Sequence, residues 1–258
     1  MPASAISHYL DLIVYKSWAQ LRVEATRGYL GIVWWVIEPL LYIAVFYVIF
    51  GILFQRGGEG YVVFLMTGLV VWRWFDNTVR IGANSIVDNI GLMRRVYVPK
   101  IVFPSAIIVS NSVKFLFVLV ILLLFLLLYG IKPGPSWLAL PVLLAIQLLL
   151  ITALTWVVSA VVPFFPDFRV MIDSGLTLLF FLSGIFFDIG SVTGSIADIL
   201  GMNPMAILID AYRLVLIQGI WPDWSILGGV LFFCVMMLAL GWHLHMRFDR
   251  QFVKNGFA

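Results

Sequence analysis

The sequence predicts an all-α, polytopic membrane protein with six transmembrane helices, and three observations predict it. Six long apolar stretches are separated by short polar connectors, and the Lys and Arg clusters fall on alternate connectors. Of 258 residues, 63% are hydrophobic and 11% charged, where soluble domains carry roughly a quarter charged residues. A mean hydropathy of +1.08 excludes a single water-soluble core. At about 20 residues per crossing of a ~30 Å hydrocarbon layer, the spans fall at 31–54, 61–85, 101–130, 137–162, 170–187 and 225–246. Barrel strands would alternate apolar and polar residues, whereas the run from Phe115 to Tyr129 is apolar on every side.

Orientation follows from the basic residues. Lys16, Arg22, Arg27, Arg94, Arg95, Lys100, Arg169, Arg247, Arg250 and Lys254 lie on one side, against Arg56, Lys132 and Arg213 on the other. The excess places both termini in the cytoplasm. The N-terminus has no charged segment, short apolar core and cleavage site in series, so the spans are expected to carry their own insertion signals.

Residues 1–30 form a cytoplasmic amphipathic segment ahead of the membrane domain, 31–258. From Ser7 to Arg27, Leu10, Val14, Trp18, Leu21 and Ala25 share one helical face, with Lys16, Gln20 and Arg27 roughly opposite. Such a helix lies in the membrane surface. A plain anchor and a partner-contacting helix share this pattern.

The second span carries Arg73, Asp76 and Arg80. Each charge costs ~2.5–3.5 kcal/mol at a helix centre, so together they offset about 15 apolar residues contributing ~0.3–0.6 kcal/mol each. Spacings of three and four put the three on one face, where Asp76 can pair with both arginines. The cluster either orients the helix as an ion-pair group or lines a polar pathway. In the third span Lys114 snorkels or pairs with an acid such as Asp173.

The connector after the second span, Asp88 to Pro104, interleaves Leu92, Met93, Val96 and Tyr97 with Arg94, Arg95 and Lys100, and Pro99 and Pro104 limit helix length. It predicts a short cytoplasmic helix. A positive-inside anchor needs the arginines but not the apolar residues between them. Pro163 to Arg169 is a second tight, aromatic turn on the same side, and the two together predict a docking surface.

The short fifth span runs through Leu182-Ser-Gly-Ile-Phe-Phe-Asp into an outer segment, 189–222, that includes Asn203 and Pro204. Met205 to Ile220 is apolar at helical spacing but broken by Asp210, Arg213 and Gln218 and closed by Gly219 and Pro222. Outer loops are ordinarily polar, so this stretch re-enters the outer leaflet or lies on it. Asp210 and Arg213, at i and i+3, can pair there.

No catalytic constellation accompanies these elements. There is no GxxxxGKS or GxxxxGKT phosphate loop, and Leu182-Ser183-Gly184 without a nucleotide fold reads as small-residue helix packing. His8, His243 and His245 lack spaced acidic or Cys partners, and Cys234 sits alone in an apolar run.

The stretch Leu21-Arg-Val-Glu-Ala-Thr-Arg-Gly-Tyr-Leu-Gly-Ile-Val-Trp-Trp-Val-Ile-Glu-Pro-Leu resembles the entry to the first span of polysaccharide-exporting type-2 ABC transporter permeases, at Arg22, Arg27, Leu30, Gly31, Trp34 and Pro39. Phe64-Leu-Met-Thr-Gly-Leu with Trp72 to Phe75, Met93-Arg-Arg-Val-Tyr-Val-Pro-Lys, Asp167-Phe-Arg, and Asn203-Pro-Met-Ala with Arg213 follow in the family's order. The pattern is nearest to the O-antigen permeases of that family, and capsular-polysaccharide and teichoic-acid permeases share these motifs.

The resemblance implies a homodimer of six-span subunits that exports an undecaprenyl-diphosphate-linked polysaccharide across the bacterial inner membrane. It implies no cofactor and no catalysis in this chain, since ATP and Mg are bound by a separate ATPase subunit. The ATPase-coupling residues it implies are Leu92, Arg94, Arg95 and Tyr97 within a coupling helix at Gly91 to Val98, with Asp167 and Arg169 as a second contact. Asn203, Pro204, Asp210 and Arg213 fall in the family's outer-leaflet, re-entrant gate helices. The family's channel runs along the first and fifth spans, which puts Trp34, Trp35, Tyr42, Phe46, Phe180, Phe181 and Phe187 on the glycan path. Aromatic faces stack on the apolar faces of sugars with little selectivity; Trp and Tyr near span ends also mark membrane interfaces.

A secondary transporter or channel would carry repeats with paired broken helices, and a membrane enzyme acting on lipid-linked sugars would cluster His, Asp or Glu at one face. Neither pattern is found, and the acids are scattered.

Overall fold

The computed structural model describes residues 3–26, 33–46, 48–49, 60–191, 194 and 200–249. Arg27, Leu30, Gly31, Arg56, Arg250 and Lys254, positions 47 and 50–54 of the predicted first span, and parts of the outer segment lie outside the described residues, as do the side chains of His8, Pro39 and Phe46.

The chain runs through α1 (Ala3–Thr26), α2 (Val33–Phe46) and α3 (Tyr61–Asn84), then a 3-10 turn (Val87–Asn89) leading into the one-turn α4 (Ile90–Met93). There follow α5 (Val102–Leu128), a 3-10 turn (Pro135–Ala139) that enters α6 (Leu140–Val161), and α7 (Phe168–Leu182). Last come α8 (Pro204–Arg213), continued by a π-turn (Leu214–Gln218), and α9 (Trp224–Phe248). Among the described residues there is no strand.

Among the described residues, three helical stretches are long and apolar enough to cross a membrane: Val102–Leu128, Pro135–Val161 and Trp224–Phe248. They coincide within a few residues with the predicted third, fourth and sixth spans. Helix α3 coincides with the predicted second span but carries its charges. Helix α7, with 15 residues, rises only roughly 23 Å, short of a full crossing, and α2 is described over 14 residues. Helix α7 ends at Leu182 instead of running to Phe187. The backbone turns back at Gly184, with φ +66° and Ile189 Cγ1 only 2.7 Å from where a Cβ would sit, so glycine alone fits.

Helix α3 is the centre of the bundle. It packs between α5 and α6, with α7 and α8 also against it, and α9 runs along α6. Most of α3 is buried, from Val63 to Ala83. Trp74 stacks on Phe115 at 4.1 Å between ring centroids, and Gln147 Nε2 donates to the Val71 carbonyl at 2.8 Å. Helix α9 approaches α6 closely at Gly241, where an added Cβ would lie 2.9 Å from the Trp156 Cβ and 3.3 Å from the Val157 nitrogen. The outer faces of α5 and α9, with Leu116, Val120, Leu124, Phe232, Val235 and Met236 exposed, are apolar, as suits a lipid environment.

Helix α1 forms as expected but turns differently. Ser17 and Leu21 are buried against α5, and Ser17 Oγ donates to the Ala106 carbonyl at 3.1 Å. Leu10, Val14 and Trp18 of the same predicted face remain exposed.

Candidate functional site

Three groups of polar side chains organise this bundle, one at each end and one midway. At the first end, the mixed connector sorts its residues by side. Met93 turns inward onto Ile86, Phe103 and Ala160, with Ile90, Val98, Phe164, Leu244 and Phe248 around it. Leu92, Arg94, Arg95 and Tyr97 are exposed. Phe164 brings the Pro163–Arg169 turn to the same cluster, where Phe165, Asp167 and Arg169 are also exposed. The two segments singled out in the sequence therefore share one end of the bundle.

This end is tied to α1. Lys16 Nζ donates to Asn89 Oδ1 at 2.8 Å and lies 4.9 Å from the Phe103 ring centroid, and burial pushes its ammonium below the usual lysine value. Lys16 thus faces protein where the helical pattern placed it opposite the packed face. Lys114 pairs with Glu24 of α1 at 2.8 Å, not with Asp173.

Midway, Asp173 serves Arg80 instead. Arg80 Nη1 reaches Asp173 Oδ1 of α7 at 2.6 Å, and its Nη2 reaches Asp76 Oδ1 at 2.7 Å. The guanidinium of Arg73 lies over the Tyr42 ring at 4.1 Å. Tyr42, Arg73, Asp76 and Arg80 line a recess of about 280 Å³ with Leu69, Trp72, Asn77, Leu176, Thr177 and Phe180. Arg73 and Arg80 are offset in the lining by Asp76, with Asp173 paired to Arg80 beside it, and Trp72, Tyr42 and Phe180 supply aromatic walls. Such a surface offers hydrogen bonds and stacking faces to a neutral, hydroxyl-rich ligand.

The recess gathers Tyr42 and Phe180 from the predicted channel set and the whole charged trio. It does not gather the rest. Trp35 packs toward Phe117 of α5 at 6.1 Å, Trp34 and Phe181 are exposed, and Phe187 follows the end of α7. Phe181 lies 5.2 Å from Phe180.

At the other end, α8 is bracketed onto the end of α7. Asn203 caps α8 by accepting from the Met205 N–H at 3.0 Å, with Pro204 at the first helical position. Its Nδ2 donates to Ser183 Oγ at 2.9 Å and to the Leu182 carbonyl at 3.3 Å. Arg213, 3% exposed, donates to the carbonyls of Phe64, Gly184 and Ile185 at 3.1, 2.7 and 2.9 Å, and its guanidinium lies 3.3 Å from the Phe64 ring centroid. The expected pairing with Asp210 gives way to these carbonyls, of which those of Gly184 and Ile185 lie past the end of α7 without helical partners.

The sequence profile of the ABC-2 type transporter family matches residues 12–217. The chain belongs to the ABC-2 type transporter family. Among its relatives are three proteins named O-antigen export system permease protein RfbA. One, from Myxococcus xanthus, is 27% identical over 217 residues, covering 83% of this chain and 84% of the relative. Another, from Klebsiella pneumoniae, is 25% identical over 216 residues and 83% of each. A further Klebsiella pneumoniae protein of the same name is 26% identical over 215 residues.

As an ABC-2 type transporter the chain is a membrane component that passes a cargo, and not an enzyme. All three polar groups fall inside the matched region; α9 lies beyond it. Sequence reasoning missed Asn89, Glu24 and Ser183, whose roles depend on which helices become neighbours. Gly184 beside Ser183 was the one local signal of a turn.

Proposed function

We propose that this chain is the permease subunit of an ATP-driven exporter that moves undecaprenyl-diphosphate-linked O-antigen across the bacterial inner membrane. Two copies form the conduit, each docked on a separate ATPase subunit that binds ATP and Mg. The match over 83% of this chain and 83–84% of the relatives, permeases named for O-antigen export, carries this reading. The chain crosses the membrane six times with both termini cytoplasmic, which the distribution of Lys and Arg supports.

The connector with Leu92, Arg94, Arg95 and Tyr97, and the turn with Asp167 and Arg169, form the ATPase-facing surface. Their joint exposure beside a shared apolar anchor at Met93 supports that role. Helices α2 and α7 wall the glycan path, with Trp34, Tyr42, Phe180 and Phe181 as its stacking surface and the arginine charge of the recess tempered by Asp76 and Asp173. The segment from Asn203 through Arg213 closes the outer end.

The test is a deletion strain analysed for lipid-linked glycans. Undecaprenyl-diphosphate-linked O-antigen should accumulate on the inner face while surface polymer is lost. A normal surface polymer, or accumulation of a different glycan, would overturn the assignment.

A further inference from the structure

Helix α9 closes at Phe248, and the residue at its end is Asp249. A carboxylate there faces the negative end of the helix dipole, whereas His245 and Arg247 in the last turn are the chemistry that end favours. The carboxylate is held in place by the connector. Tyr97 donates its hydroxyl to Asp249 Oδ2 at 2.9 Å, the Lys100 backbone N–H donates to Oδ1 at 3.2 Å, and Lys100 Nζ lies 3.6 Å from Oδ2. Lys100 is 3% exposed, with its ammonium 4.4 Å from the Tyr97 ring centroid. Just beyond, the Val102 N–H bonds the Pro99 carbonyl at 3.0 Å and α5 begins. One side chain therefore grips the connector where it becomes α5.

Its own helix has little freedom to slide. Gly241 seats α9 directly on Trp156 of α6, and His245 Nε2 lies 3.1 Å from the Trp156 carbonyl and 3.2 Å from Ser159 Oγ. The contacts at Asp249, Gly241 and His245 thus join the connector to α9 and α6 in series. At its start the connector is held by Lys16 through Asn89, so elements from the two ends of the chain clasp it.

We propose that Asp249 is a positioning residue that makes the connector and the α6–α9 pair move as one body, so that work done on the connector reaches those helices and not only α1 and α5. This rests on the reading of the chain as a permease driven by a separate ATPase. Asp249 touches neither cargo nor nucleotide, and it acts through Tyr97 and Lys100.

The experiment uses the complete transporter, this chain with its ATPase, in proteoliposomes loaded with lipid-linked glycan extracted from the host, and reads glycan exported per ATP hydrolysed. Asp249→Ala should lower that ratio about ten-fold, the scale of one charge-assisted contact, with the complex recovered in normal amount. Asp249→Asn keeps one acceptor oxygen and should fall between. Tyr97→Phe keeps the ring beneath Lys100 and removes only the hydroxyl; it should lower the ratio in the same direction without affecting folding. An unchanged ratio in Asp249→Ala, or less complex with a normal ratio in what remains, would overturn the proposal. A wild-type complex that neither hydrolyses ATP nor exports would instead bring down the functional reading itself and the inference with it.

Discussion

The guanidinium of Arg213 and the carbonyl of Gly184 are 2.7 Å apart, and this contact fixes the end of α7 to α8. With the bonds to Ile185 and Phe64 it converts a basic residue in an apolar segment into the donor for three backbone acceptors. Gly68 lies beneath it: a Cβ there would come within 2.7 Å of Nη2.

Arg213→Ala should therefore destabilise the protein by about 3 kcal/mol or more, because each buried acceptor left unpaired costs ~1–3 kcal/mol. Arg213→Lys recovers only part, since an ammonium cannot span three separated carbonyls as a planar fork does. Thermal unfolding in detergent checks this; a Lys variant melting with the wild type contradicts it.

Arg80 and Asp173 join α3 to α7 at 2.6 Å. A double-mutant cycle with Arg80→Gln and Asp173→Asn should give a coupling of ~1–3 kcal/mol, the range for side chains in direct contact. Additive effects would mean that the pair does not hold the two helices together.

Gly241→Ala should cost ~1–3 kcal/mol by forcing α9 off Trp156, where backbone as well as side chain stands in the way. Gly228→Ala in the same helix meets nothing within 4 Å and should be neutral or stabilising by up to about 1 kcal/mol. Equal unfolding temperatures for the two variants would contradict the close α6–α9 contact.

The apolar helices were legible because length and hydropathy alone define them, and α5, α6 and α9 fall within a few residues of their predicted limits. The connector was legible as an amphipathic element, since Met93 had to find an apolar pocket while Arg94 and Arg95 did not. Partners were not. Asp76 meets Arg80 by local helical spacing, but Asp173 and Glu24 are chosen by packing of segments far apart in sequence. The early end of α7 was missed because Ile185, Phe186 and Phe187 continue the apolar run, and only Gly184 marks the reversal.

In the recess, Tyr42→Ala and Phe180→Ala should each lower glycan flux several-fold while leaving recovery of the ATPase complex unchanged, since both line open space beside the charged trio. Export assays paired with complex recovery check this. Loss of the complex instead would assign these rings to packing.

The central claim is that a separate ATPase drives this chain through its exposed connector, and the direct measurement is export together with ATPase capture in the double variant Arg94→Glu, Arg95→Glu. Reversing two exposed charges leaves the buried Met93 anchor intact, so the protein should fold and insert in normal amount. Captured ATPase and exported polymer should both fall, with lipid-linked glycan retained inside. Full export with undiminished ATPase capture would contradict the claim.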